Sequence, residues 1–167
     1  MSFARLLKEH SALASALDLV GDKWTLMILS GCLASVCRFN ELESALGINR
    51  NILSARLDKL IAAGVIEKRE YHTKPARFEY VITDIGRELK PVLVGLAAWA
   101  ESHITKDACP ISMVHQTCGS KAQIHIYCES CDQMVPLHEV TSKLNQNAGN
   151  ESIKVYNESR NHFFHLK

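Results

Sequence analysis

Apolar residues recur at helical spacing through the first third of the chain. Leu13, Ala16, Leu17 and Val20 share one face of a helix over residues 11–20, and Gly21 ends it. Asp22 is placed to cap a second helix, from Lys23 to about Leu33, that is apolar almost all round. A helix of that kind belongs at the centre of a core. Asn40 and Glu43 then have capping-box spacing ahead of a short helix ending near Leu46. Gly47 makes a turn, Asn49 caps a longer helix through Ala63, and Gly64 stands where helices commonly end. Two helices joined by a tight glycine turn predict a helix-turn-helix.

Beyond Gly64 the period changes from helical to alternating. Residues 65–72 and 77–82 read as two strands, with Phe78, Tyr80 and Ile82 alternating with Arg77, Glu79 and Val81. Thr73-Lys74-Pro75-Ala76 joins them as a basic hairpin tip. Thr83 is set to cap a long helix carrying Ile85, Leu89, Leu93, Leu96, Ala97 and Ala100 at helical spacing. Pro91 lies inside that pattern and predicts a kink, because it has no N–H and crowds the carbonyl of Arg87. Residues 104–135 are rich in cysteine and histidine, and 145–150 (NQNAGN) read as a polar linker.

The expected fold is therefore mainly α with a β-hairpin wing, a winged helix-turn-helix, plus a small C-terminal zinc-ribbon-like segment. The expected division is a DNA-binding and dimerisation domain over 1–103, the ribbon-like segment over 104–144, and a tail over 145–167.

Composition adds little until it is resolved along the chain. Apolar residues make up 47% and charged residues 22% of 167 residues, which is globular. The start, MSFARLLKEH, lacks the uninterrupted apolar run of a signal peptide. The longest apolar stretch, Trp24 to Cys37, is interrupted by polar residues and is shorter than the ~20 residues of a membrane span. A cytoplasmic protein without membrane contact is expected. Net charge is only +1, yet residues 50–77 carry 7 basic and 3 acidic side chains. A local basic patch is what phosphate binding requires.

The helix over 49–63 shows where that patch would act. Ile52, Leu53, Leu57, Leu60 and Ile61 should pack inward, while Asn51, Ala55, Asp58 and Ala62 lie opposite with Ser54 and Lys59 flanking. Asn49, Arg50 and Asn51 stand at the N-terminal end, which in a helix-turn-helix enters the major groove of double-stranded DNA. Arginine can make two hydrogen bonds to guanine and asparagine two to adenine. Lys59 and Arg38 suit phosphate contacts, which position without specifying. At the hairpin tip, Lys74 and Arg77 are set for the adjacent groove or backbone. Arg56 falls within the apolar face and is expected to pair with a carboxylate such as Glu41 or Glu43. No nucleophile–base pair or phosphate loop accompanies these features, which excludes the common enzyme classes.

The stretch over residues 11–100 resembles the HxlR-type winged-helix regulators, relatives of the MarR type. The marks are Gly21-Asp22-Lys23-Trp24, Arg38-Phe39, Glu41-Leu42, Ser54, Arg56-Leu57, Gly64, Pro75, Glu79-Tyr80, Thr83, Gly86 and Trp99. The resemblance implies a transcription regulator that forms a homodimer through its first and last helices. It also implies one recognition helix per half-site of a palindromic operator. Some members carry a sensing cysteine just before the first helix; here Ser11 stands there, followed by Ala12, and a hydroxyl cannot replace thiolate chemistry. Cys32 and Cys37, isolated among apolar residues, fit buried, inert thiols better than sensors.

The late cysteines follow a second logic. His115-x-x-Cys118-Gly119 and Cys128-x-x-Cys131 are two pairs of matching spacing, nine residues apart, with strand-forming Ile124, Ile126 and Tyr127 between them. Two such turns facing each other make a four-ligand structural zinc site. Cys109 is an alternative to His115 as the fourth ligand. Two other readings stand beside the plain regulator. One is a zinc- or thiol-responsive sensor whose cysteine cluster gates DNA binding. The other is a protein-interaction adapter, against which Arg50, Asn51, Lys74 and Arg77 count.

Overall fold

The computed structural model describes residues 11–105, 111–141, 143, 145–150, 152–154, 156 and 157. Cys109, the N-terminal decapeptide and the end of the tail lie outside the described residues. Two compact units are present: Asp22–His125, and the two chain ends, Met1–Gly21 with Ile126–Lys167.

The first unit holds helices α2 (Lys23–Leu33), α3 (Phe39–Leu46) and α4 (Arg50–Ala62), then strands β1 (Ile66–Thr73) and β2 (Ala76–Ile82). A single turn, α5 (Asp84–Arg87), leads to α6 (Lys90–Ala100), which runs into a π-helical turn at Glu101–Thr105. The second unit holds α1 (Ala12–Val20) and a hairpin of β3 (Ile126–Cys128) and β4 (Gln133–Val135).

The core of the first unit sits where α2, α3 and α4 meet the base of the wing. Ile28 and Leu29 of α2, Leu42 of α3, Leu53, Leu57 and Leu60 of α4, and Ile66 of β1 are all essentially inaccessible to solvent. The nearly all-apolar α2 is thus the central helix, as its pattern predicts. Asp22 caps it, accepting from the backbone of Trp24 and Thr25 (both 3.1 Å) and from the Thr25 hydroxyl (2.5 Å). That last bond satisfies the fully buried Thr25.

Asp22 does more than cap. Its Oδ1 also receives Nε of Arg56 from the middle of α4 at 3.0 Å. The expected pairing of Arg56 with Glu41 or Glu43 is therefore incorrect. Those two carboxylates are taken by nearer arginines: Glu41 by Arg38 at 3.3 Å and Glu43 by Arg50 at 3.1 Å. Burial pushes the Asp22 carboxyl up, but the Thr25 hydrogen bonds and the Arg56 charge outweigh it and leave its pKa below the usual value.

Other local expectations shift by small amounts. Helix α3 starts at Phe39 with Arg38 as its N-cap, and Glu41 reaches back to the Arg38 N–H at 3.2 Å. The acidic partner of the cap is thus Glu41 rather than Glu43, and Asn40 lies inside the helix. Gly47 and Gly64 both adopt left-handed backbone where the pattern places turns. Ile52, expected inside, is 39% exposed, because α2 and β1 cover only the Leu53–Leu57–Leu60 side of α4.

The single kinked helix expected after Thr83 is in fact two helices. The chain breaks at Glu88–Leu89, and Pro91 occupies the first turn of α6. There its missing N–H would have had no intrahelical partner, so proline starts a helix more easily than it bends one. Thr83 caps α5 through Gly86 N (3.1 Å) and donates its hydroxyl to the Gly64 carbonyl (2.7 Å). That hydroxyl joins the end of α4 to the exit of the wing.

Strands β1 and β2 pair antiparallel from Ile66↔Ile82 to Thr73↔Ala76, with a bulge between Glu70 and His72. A bridge from Arg38 to Glu79 adds a third short edge, tied by Tyr80 N donating to Cys37 O at 2.7 Å. Only the base of the hairpin is buried, through Ile66, Tyr80 and Ile82. Its tip stands in solvent.

Two predictions follow from this packing. A Cβ on Gly86 would overlap the Val65 carbonyl oxygen and meet Ile82 Cγ1 at 2.6 Å. Gly86→Ala should therefore cost about 1–3 kcal/mol in urea unfolding, and an unchanged midpoint would refute the close packing. Asp22→Asn tests the shared carboxylate. With a depressed folded pKa, Asp22 contributes stability that is fully present above its unfolded value of 3.8 and is lost as pH falls through the folded pKa. The wild type should lose stability over that acid range more steeply than Asp22→Asn, and parallel acid limbs would refute the role.

Candidate nucleic-acid interface

Helix α4 presents one face to the core and the other to solvent. Arg50, Asn51, Ser54, Ala55, Asp58 and Lys59 are exposed, while Leu53, Leu57 and Leu60 anchor the helix from behind. Asn49 caps the helix, its side chain accepting from Asn51 N at 2.9 Å. It starts α4, and its side-chain oxygen is already engaged. Small Ser54 and Ala55 follow one turn behind Arg50 and Asn51, leaving room for close approach by a flat surface.

Arg50 is held in place before any ligand arrives. Its guanidinium lies 3.1 Å from Glu43 and 4.8 Å over the ring of Phe39. The side chain is still 66% exposed, so the pair orients it without burying it. Phe39, placed at the start of α3, thus acts as the platform under the first residue of α4. Its ring in turn lies 6.4 Å from that of Tyr80.

The wing brings a second set of cations to this unit. Arg38, Phe39, Asn40, Glu41, Tyr71, Arg77 and Phe78 line an open cleft of about 510 Å³ between the start of α3 and the hairpin. Two residues expected to meet phosphate, Arg38 and Arg77, therefore share one cleft. Arg38 stacks 4.7 Å over Tyr71, and Lys68 lies 4.3 Å over Phe78. Lys74 and Arg77 are exposed at the tip, where His72 Nδ1 lies 2.9 Å from the Pro75 carbonyl. Arg69, by contrast, is committed to Glu79 at 2.6 Å and braces the two strands.

Sequence reasoning overlooked Phe39, Tyr71 and Glu43 as parts of this surface. Phe39 and Glu43 lie on α3, and only the turn at Gly47 brings them to Arg50. Tyr71 could not be found from spacing, because it is the extra residue at the bulge.

The two isolated thiols are held toward the protonated form. Burial, then the proximity of Cys37, pushes Cys32 up to about 12. Cys37 is also raised, by burial first and then by Glu79 and Glu41. Neither environment favours the reactive thiolate.

The late cysteines form two separate local structures. In the first, Val114 bridges Lys121 and His115 N donates to Ser120 O at 2.8 Å, so His115 and Cys118 flank a hairpin tip. Glu101 anchors this hairpin, accepting from Ser112 at 2.7 Å and Lys121 at 2.5 Å. Hydrogen bonds from Ser120, then from His115, bring Cys118 down to about 7. In the second, Cys128 pairs with Gln133 across the β3–β4 turn that carries Cys131. Hydrogen bonding from the Cys131 backbone and side chain, and then from the Ser130 backbone, lowers the Cys128 pKa. Among the described residues, no three His, Cys, Asp or Glu side chains gather into one metal-holding group. Among them, too, no helix is long and apolar enough to cross a membrane.

Comparison with known proteins agrees with this geometry. The family model described as HxlR-like helix-turn-helix matches residues 19–108. An uncharacterised HTH-type transcriptional regulator of Mycobacterium tuberculosis, Rv3095, is 36% identical over 134 residues, 80% of this chain and 85% of that one. Among solved structures, a proposed transcription factor of Pseudomonas aeruginosa, PA1374, superposes with a TM-score of 0.64 at 28% identity, covering 86% of this chain and 99% of its own. The redox regulator HypR in its reduced form gives 0.53 at 30% identity, over 59% of this chain and 96% of its own. The chain belongs to the HxlR-like helix-turn-helix family of DNA-binding transcriptional regulators, which are not enzymes.

Proposed function

We propose that two copies of this chain pair and bind a palindromic operator, each inserting α4 into one major-groove half-site. The observation that carries this reading is the exposed N-terminal end of α4. There Arg50, Asn51, Ser54 and Ala55 stand clear of the core, beside a cleft lined by Arg38 and Arg77. In this docking Arg50 and Asn51 read base edges, while Arg38, Lys59, Lys74 and Arg77 meet phosphates.

Pairing is supported by uncovered apolar side chains. Val92, Leu96 and Trp99 form a stripe at i, i+4, i+7 along α6, each more than half exposed. On α1, Leu13 and Leu17 are similarly exposed one turn apart. A stripe that stays in water is costly, and a second copy is the partner that closed symmetry supplies. Two-fold pairing would set the two α4 helices about one DNA turn, ~34 Å, apart.

Selection of genomic fragments with the purified protein tests the whole reading: a palindromic consensus is expected, and only weak, sequence-blind binding would overturn it. On the selected site, Arg50→Ala should lose ~1–3 kcal/mol and relax preference at one base position. Lys74→Ala should weaken all sequences alike and reduce the salt slope by about 1. If both variants kept wild-type affinity and slope, this docking would be wrong. Trp99→Glu should shift the protein from dimer to monomer in sedimentation velocity and lose operator affinity, and a dimeric Trp99→Glu would remove α6 from the interface.

A further inference from the structure

A second cleft, at the base of the wing, is lined by none of the residues that meet DNA in the docking above. It has a volume of about 390 Å³ and opens between the end of α2, strand β2 and the step from α5 to α6. Every residue that lines it belongs to the unit Asp22–His125. Its size is that of a small-molecule site. Its walls are set by hydrogen bonding and packing. Tyr80 N donates to Cys37 O at 2.7 Å, which ties β2 to the turn after α2. On the other side, Gly86 brings α5 closer to the Val65 carbonyl than any side chain would allow.

The lining combines apolar surface with an excess of positive charge. Leu33, Cys32, Val81 and Ile82 supply the apolar part. Arg69, Arg87 and Lys90 supply three cations against the one carboxylate of Glu79. Arg69 and Glu79 neutralise each other at 2.6 Å. Arg87 is paired with Asp84 at 2.5 Å, but that carboxylate is 98% exposed. A pair so open to water is worth little, so the guanidinium can turn to another acceptor. Lys90 has no ion-pair partner among the described residues. Burial first, then neighbouring charge, holds the Cys32 and Cys37 thiols protonated, so neither sulfur offsets the lysine. The complement of such a lining is one negative charge on an apolar body. An inorganic anion would use the charge and leave the apolar surface uncovered, and an uncharged apolar molecule would do the reverse.

We propose that this cleft binds a small organic acid, with its carboxylate at Lys90 and Arg87 and its apolar body against Leu33 and Val81. The place of the cleft gives the ligand a consequence. Tyr80 lines it, and the Tyr80 ring lies 6.4 Å from that of Phe39, over which Arg50 rests. An occupant that fits one setting of β2 better than another therefore changes the wing and the platform under Arg50 together. This effect on operator binding rests on the docking proposed above, whereas the binding of the acid does not.

The test titrates the full-length protein, without DNA, with octanoate and with 3-phenylpropanoate, and follows backbone amides in proton–nitrogen correlation spectra. Saturable shifts are expected at Leu33, Ser35, Val81 and Lys90. The carboxamides of the same two acids should bind about threefold more weakly or worse, since they lack the charge. Added salt should weaken the acids and spare the carboxamides. Lys90→Ala should bring the acids down to the affinity of the carboxamides without altering the latter, and Lys90→Arg should recover the difference. Inorganic phosphate should not displace either acid. No saturable shift with either acid, equal affinity for acid and carboxamide, or displacement by phosphate would overturn the site. Shifts confined to Val92, Leu96 and Trp99 would overturn it too, by moving binding to the stripe on α6. On a selected operator, saturating octanoate should change the affinity of the wild type and not that of Lys90→Ala. An unchanged operator affinity in a protein that binds octanoate would overturn the link to the wing while leaving the site.

Discussion

A single carboxylate, that of Asp22, ties α4 to the helix at the centre of the fold. It caps α2, satisfies the buried Thr25 hydroxyl and receives Arg56 from α4. The partners come from α2 and α4, so the carboxylate is a joint between the core helix and the second helix of the helix-turn-helix. The apolar contacts of Leu53, Leu57 and Leu60 decide which face of α4 is buried. The guanidinium adds a directional, charge-assisted tie to those contacts, and its partner at the start of α2 accounts for an arginine inside an otherwise apolar face.

The same division of labour runs through the wing. Arg69 pairs with Glu79 across the strands and stiffens the hairpin. The exposed residues Lys74 and Arg77 are carried out to the tip on this braced ladder. Thr83 and Gly86 hold the other end: one hydroxyl reaches the carbonyl at the end of α4, and a residue without a side chain lets α5 lie against Val65. The wing is thus positioned from its base, and its tip stands exposed.

Much of this was legible in the residue pattern because the elements are short, capped and separated by glycines. Asp22, Asn49 and Thr83 cap the helices that their positions imply, and Gly47 and Gly64 turn left-handed where the periodicity stops. The misreadings share one cause. The residue pattern points Arg56 to a carboxylate of the preceding helix, yet its partner lies 34 residues away, and only the packing of α2 against α4 brings them together. The apolar spacing around Pro91 predicts one kinked helix, because it continues unchanged across a break between two helices. Side-chain periodicity reports which face is buried. It does not report where the backbone is interrupted, nor which charges from distant elements meet.

Arg50 shows what such preorganisation implies for reading DNA. At rest it is bonded to Glu43 and lies over Phe39. In the proposed docking the guanidinium exchanges Glu43 for an acceptor on a base edge, so the gain from a guanine is the difference between two charge-assisted contacts. A base that offers no acceptor leaves Arg50 on Glu43 and forfeits that difference. The ion pair in the free protein is therefore the reference against which a base contact at this position would be weighed.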